Sequence, residues 1–168
     1  MFIPISLGIL LLGAATMLQI SVVSQVPLLH GPADLILLVL LGWVLHTRVE
    51  GRWQWGLIAG LLIGTVSELP MWLPILAYLL VTGLAYMLQT RVWQVPIMSL
   101  YVTTIAGTFI VQGFSFLYLV ISGTPLAFNE SLNLIILPSV ILNSMLALPV
   151  YAVIGEVANW VYPPEIEA

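Results

Sequence analysis

Apolar residues run almost without interruption from Phe2 to Val23. They do so again in five later stretches, separated by short segments that gather most of the charged side chains. The runs are long and do not alternate, whereas membrane barrel strands alternate apolar and polar residues over about ten positions. The pattern therefore predicts helices, over residues 2–23, 34–46, 55–69, 73–89, 97–121 and 132–162. The link at 68–72 is so short that helices 3 and 4 must form an antiparallel hairpin. Helix 2 has only thirteen clean apolar positions. At about 1.5 Å each they reach about 20 Å, short of the roughly 30 Å hydrocarbon core. Either residues 27–33 also sit at membrane depth, or protein shields one end of this helix.

Composition makes lipid the solvent. Of 168 residues, 61% are hydrophobic and 6% charged, against roughly 25% charged in a water-soluble domain. In lipid the backbone must be satisfied within helices or closed barrels. The expected fold is an all-α integral membrane protein, a compact bundle of six transmembrane helices forming one domain over residues 1–168. The first run lacks a leading basic residue and carries no charge before Asp34, so it reads as an uncleaved helix, not a signal peptide.

Charge then sets orientation. Arg48, Arg52 and Arg91 are the only basic residues apart from two histidines, and there is no lysine. All three fall in the breaks 47–54 and 89–96. Cytoplasmic loops carry the Arg/Lys excess, so these loops and both termini are expected inside. Trp53, Trp55, Trp93 and Trp160 then fall at the cytoplasmic interface and Trp72 at the opposite one, as an interfacial belt requires. Cysteine is absent, which excludes disulfides and thiolate metal sites. His30 and His46 are far apart, and no metal or cofactor is expected. A net charge of −4 without a basic patch argues against nucleic-acid binding.

Several side chains stand out against the apolar background. Gly56, Gly60 and Gly64 share one face of helix 3 and permit close helix approach, either to a partner protein or within the bundle. Glu68 extends that series by one turn. Asp34 opens helix 2, where a carboxylate suits a helix N-terminus, and Glu130 lies in the third outer loop. These three carboxylates read either as solvated caps and loop charges or as a proton- or cation-handling site. Thr104, Thr108 and Gln112 recur at four-residue spacing on helix 5, as interhelical hydrogen-bonding groups or the lining of a pocket. Helix 6 carries Asn133, Asn143, Pro138 and Pro149. Each proline frees a carbonyl one turn earlier, near Leu134 and Met145, so this helix should be kinked and protein-buried. No nucleophile–base pairing, phosphate loop or metal-ligand spacing is visible, and no enzyme activity is expected.

The stretches PADLILLVLLGWVL from Pro32, GLIAGLLIGTVSELP from Gly56 and LNLIILPSVILNSMLALPVYAVI from Leu132 resemble the bacterial rod shape-determining protein MreD family. The matching residues are Asp34; Gly56, Gly60 and Gly64; and Pro138, Asn143, Pro149 and Tyr151. The chain departs from the family pattern at Ala33, between Pro32 and Asp34. It departs again at Glu68, where the family has Asp, and in a C-terminal stretch holding Glu156 and no base. The resemblance implies a non-catalytic scaffold of the cell-elongation machinery, which directs lateral peptidoglycan synthesis from the bacterial inner membrane. Its implied partners are an MreC-like single-span protein and, through the complex, RodA, its transpeptidase and MreB filaments. It also implies a fold similar to the substrate-binding subunits of energy-coupling-factor transporters. A vitamin-binding subunit of such a transporter is the competing reading, with Asp34, Glu68, Thr104, Thr108 and Gln112 as an outward polar pocket.

Overall fold

The computed structural model describes residues 2–21, 32–46, 49, 51–92, 95–125 and 127–161. Among these the chain is helical, without strands. The helices are α1 (Phe2–Ser21), α2 (Leu35–Val44), α3 (Arg52–Val66), α4 (Trp72–Met87), α5 (Pro96–Ile121) and α6 (Phe128–Val161). Arg48 and Trp93 lie outside the described residues, and Arg91 falls in a π-helical turn, Leu88–Val92, that continues α4. Three stretches, Trp72–Thr90, Pro96–Ile121 and Phe128–Val161, are long and apolar enough to cross a membrane.

The helix ends follow local chemistry. Gly51 adopts a left-handed backbone, φ 64°, and its carbonyl accepts from the Gln54 N–H, so α3 starts three residues before the expected position. Ser67 turns extended and ends α3 at Val66. Its hydroxyl then accepts from the Leu69 N–H at 3.1 Å, shaping the tight turn into α4. Pro96 opens α5 at a position where the missing N–H costs nothing. In α6 the backbone widens into a π-helical turn over Leu132–Ile136, just ahead of the buried Pro138. A proline cannot bond the carbonyl one turn back, and π turns absorb such a mismatch. Pro149 stands inside α6, exposed on its outer face.

Packing is organised around α2. Eight of its ten residues are buried, and it touches all five other helices. Protein therefore shields this short helix over its length, which resolves the mismatch between 20 Å and 30 Å. The long helices carry the opposite pattern. Met98, Ile105 and Phe109 of α5, and Ile141, Met145 and Val153 of α6, are exposed, while Thr103, Thr104, Thr108, Ser139 and Asn143 are buried. Apolar surface outside and polar side chains inside is the arrangement that a hydrocarbon solvent favours.

The glycine face of α3 is covered by α4. A β-carbon on Gly60 would lie 2.6 Å from the Ile75 Cα and 3.1 Å from the Pro74 carbonyl. One on Gly56 would meet the Thr82 hydroxyl, and one on Gly64 the Met71 side chain at 3.0 Å. These three glycines bring two antiparallel backbones together inside the chain. Glu68 does not extend their stripe, because α3 has already ended and the residue stands exposed in the turn. Trp55 departs from the expected interfacial belt as well. It is buried and meets Trp43 edge to face, ring centres 5.6 Å apart. Trp53, Trp72 and Trp160 are exposed.

Candidate functional site

A polar cluster gathers at the N-terminus of α2. Asp34 caps this helix, with its Oδ1 accepting from the Leu37 N–H at 2.9 Å. A cap of this kind satisfies one of the helix's four free N–H groups. The other carboxylate oxygen accepts from the Tyr78 hydroxyl of α4 at 2.7 Å. The Asp34 backbone N–H donates to Asn143 Oδ1 of α6 at 2.7 Å, and Asn143 Nδ2 donates to the Thr108 hydroxyl of α5 at 2.9 Å. From α1, Gln19 brackets the same position. Its Nε2 donates to the Ala33 carbonyl at 2.8 Å, and its Oε1 accepts from the Leu35 N–H at 2.7 Å. The backbone of the short segment 33–35 is thus bonded by side chains of α1 and α6, the Asp34 carboxylate by α4, and Asn143 ties the segment on to α5.

The cluster is deep. Thr108 is the thirteenth of the 26 residues of α5. Asn143 is the sixteenth of the 34 residues of α6. Both lie within about one turn of their helix midpoints. Asp34 is therefore at the end of its own helix but level with the middle of the two longest ones. The sequence leaves Asp34 either as a solvated cap or as part of a proton- or cation-handling site, and the structure shows a half-buried cap bonded to neighbouring helices. α2 is short, so its start is level with the middle of α5 and α6, while it meets α1 at Gln19, close to that helix's end at Ser21.

Tyr78 and Asn143 are both fully buried, and each satisfies the hydrogen-bonding capacity that burial would otherwise leave unmet. Thr108 returns its own hydroxyl proton to the Thr104 carbonyl at 2.8 Å. Thr104 departs from expectation, because its hydroxyl is buried without a partner, as is that of Ser139 one turn before Asn143. Gln112 is not part of the cluster. It lines a small pocket of about 70 Å³ with Ser115 and Ser131, between α5 and the π turn of α6. Glu68 and Glu130 are exposed and elsewhere.

The far end of α2 is held in the same manner. Gln89 Nε2 donates to the Leu45 carbonyl at 2.6 Å, and His46 Nε2 pairs with Asn159 Oδ1 at 3.1 Å. The first engages a carbonyl at the end of α2, where carbonyls lack helical partners, and the second joins side chains just beyond that end. Side chains of α4 and α6 therefore grip the central helix at top and bottom.

Sequence reasoning singled out Asp34, Thr108 and Asn143 but neither Tyr78 nor Gln19. The available signal was chemical: a tyrosine in the middle of an apolar helix needs a partner for its hydroxyl. No protein-family model, curated protein sequence or solved structure matches the chain.

Proposed function

We propose that this chain is a non-catalytic membrane scaffold of the bacterial cell-elongation machinery, as its resemblance to the MreD family implies. In this reading it is a six-span bundle of the inner membrane, similar in fold to energy-coupling-factor substrate-binding subunits. Both termini are inside, and it docks an MreC-like single-span partner. RodA, its transpeptidase and MreB filaments are reached through that complex.

The observation that supports a scaffold best is the use of the polar side chains. Asp34, Tyr78, Asn143, Thr108 and Gln19 are turned on one another and onto the backbone of α2. Such a network fixes the relative positions of five helices, which a rigid docking platform requires. Because α4 covers the glycine face of α3, we take a different surface for docking. It is the wholly apolar groove of about 280 Å³ between α1, α2 and α6, lined by Ala15, Leu18, Leu146, Val150 and Val153 among others. Small and branched side chains at such a groove let a single helix pack closely.

The test is co-purification from membranes with a single-span, coiled-coil partner. Leu18→Trp and Val153→Trp fill the groove at its rim and should reduce capture at least tenfold while the bundle stays folded. Full capture by both variants would remove the docking face. A soluble vitamin that raised the melting temperature of the purified chain would replace the scaffold reading with a transporter-subunit one.

A further inference from the structure

Among the described residues, Asp34 is the acidic side chain that bonds across to other helices, while Glu68, Glu130 and Glu156 are exposed. The groups facing it are Tyr78 from α4, Asn143 from α6 with Thr108 of α5 behind it, and Gln19 from α1. Tyr78 is the titratable one, and none of the four carries positive charge. His46 sits at the opposite end of α2, twelve residues or about 18 Å away. Arg52 begins α3 beside Val49 and Tyr86, at that same far end.

Among the described residues, the groups that stabilise this carboxylate as an anion are therefore its hydrogen bonds and the positive end of α2. Ionisable groups so placed are costly in a membrane and recur in proton-handling proteins. A second observation points the same way. The hydroxyls of Ser139 and Thr104 are fully buried without protein partners, one turn from Asn143 and one turn from Thr108. Buried polar atoms left in this state ordinarily hold water. Ser131, two turns before Ser139 on α6, lines the pocket between α5 and α6, which has room for a few water molecules.

We infer that Asp34 is a proton-binding site within the membrane, hydrated along the Ser139 side of α6, and that its protonation state controls how α2 is held. Hydronium delivers the proton to a carboxylate oxygen and leaves as water. The neutral acid then donates through one oxygen, and the Tyr78 hydroxyl can no longer donate to a negative charge there. The link from α2 to α4 weakens, and the bundle gains a second, looser state. This site is independent of whether the chain docks a partner.

The full chain in lipid nanodiscs tests this by infrared spectroscopy of the protonated-carboxyl band between about pH 4 and pH 9, with melting temperature measured over the same range. Beside the titration of the exposed glutamates, wild type should show one carboxyl component that Asp34→Asn abolishes, together with the pH dependence of melting that accompanies it. Asn keeps the capping oxygen, so the fold has its best chance of surviving. Tyr78→Phe removes a donor to the anion and should move the midpoint upward by about one pH unit. Identical titration in wild type and Asp34→Asn would overturn the site. If Asp34→Asn does not fold, Tyr78→Phe decides: a moved midpoint supports the site and an unmoved one overturns it.

Discussion

The Tyr78 hydroxyl donates to the Asp34 carboxylate across 2.7 Å, joining residues 44 positions apart. The bond links the start of the mostly buried α2 to a helix long enough to cross a membrane. A hydrogen bond to a charged group contributes about 1.5–3 kcal/mol, more than the few tenths typical of helix surface pairs.

The glycines of α3 should rank by what faces them. Gly60→Ala pushes a methyl onto the Ile75 backbone at 2.6 Å and should destabilise by about 1–3 kcal/mol, the cost of overpacking. Gly64→Ala meets the flexible Met71 side chain at 3.0 Å and should cost less. Gly113→Ala meets nothing within 4 Å and should be neutral or stabilise by up to about 1 kcal/mol through helix propensity. Thermal unfolding of the three variants in one detergent checks the order.

Asn143 serves two partners, the Asp34 N–H and the Thr108 hydroxyl. Asn143→Leu strands both and should destabilise by about 1–3 kcal/mol. Thr108→Val removes one hydroxyl at nearly constant shape and should cost less than Asn143→Leu. Chemical denaturation in mixed micelles measures both, and equal costs would show that Asn143 contributes through the Thr108 bond alone.

How much of this was legible in the sequence follows from the reach of each signal. The helices could be read because apolar runs and their polar breaks are local. Pro138 marked the disturbance in α6, which takes the form of a π turn, because a proline acts within one turn of itself. The glycine spacing told of a close approach, but α4 as the partner became visible only in three dimensions. Asp34 misled for a physical reason. A carboxylate at a helix end is ordinarily solvated, and only the length of α2 relative to α5 and α6 sets this half-buried one level with their middles. Tyr78 and Gln19 were missed because their bonds span 44 and 16 residues, beyond any periodic pattern.

The proposed topology makes a labelling prediction. Thr124, in the exposed turn between α5 and α6, and Gln54, exposed near the start of α3, should lie on opposite sides. In whole cells, a membrane-impermeant thiol reagent should label Thr124→Cys. Gln54→Cys should react only after permeabilisation. The reverse pattern would invert the bundle and place the arginine-bearing breaks outside.

Filling the groove between α1, α2 and α6 should also separate docking from stability. Val153 is exposed at its rim and Ile154 buried at its base. Val153→Trp should lower partner capture with a melting temperature close to wild type. Ile154→Ala removes core contacts and should destabilise by about 2–5 kcal/mol. A loss of capture in Val153→Trp that tracked a matching loss of stability would make the groove structural only.

The most direct measurement of the central claim, a polar cluster pinning a sunken helix, is a double-mutant cycle with Asp34→Asn, Tyr78→Phe and the combined variant. Unfolding free energies in one micelle composition, at a pH where wild-type Asp34 is ionised, yield the coupling. The account predicts a coupling of about 1–3 kcal/mol, within the range for residues sharing a buried bond. Additive effects within about 0.3 kcal/mol, the behaviour of independent sites, would contradict it.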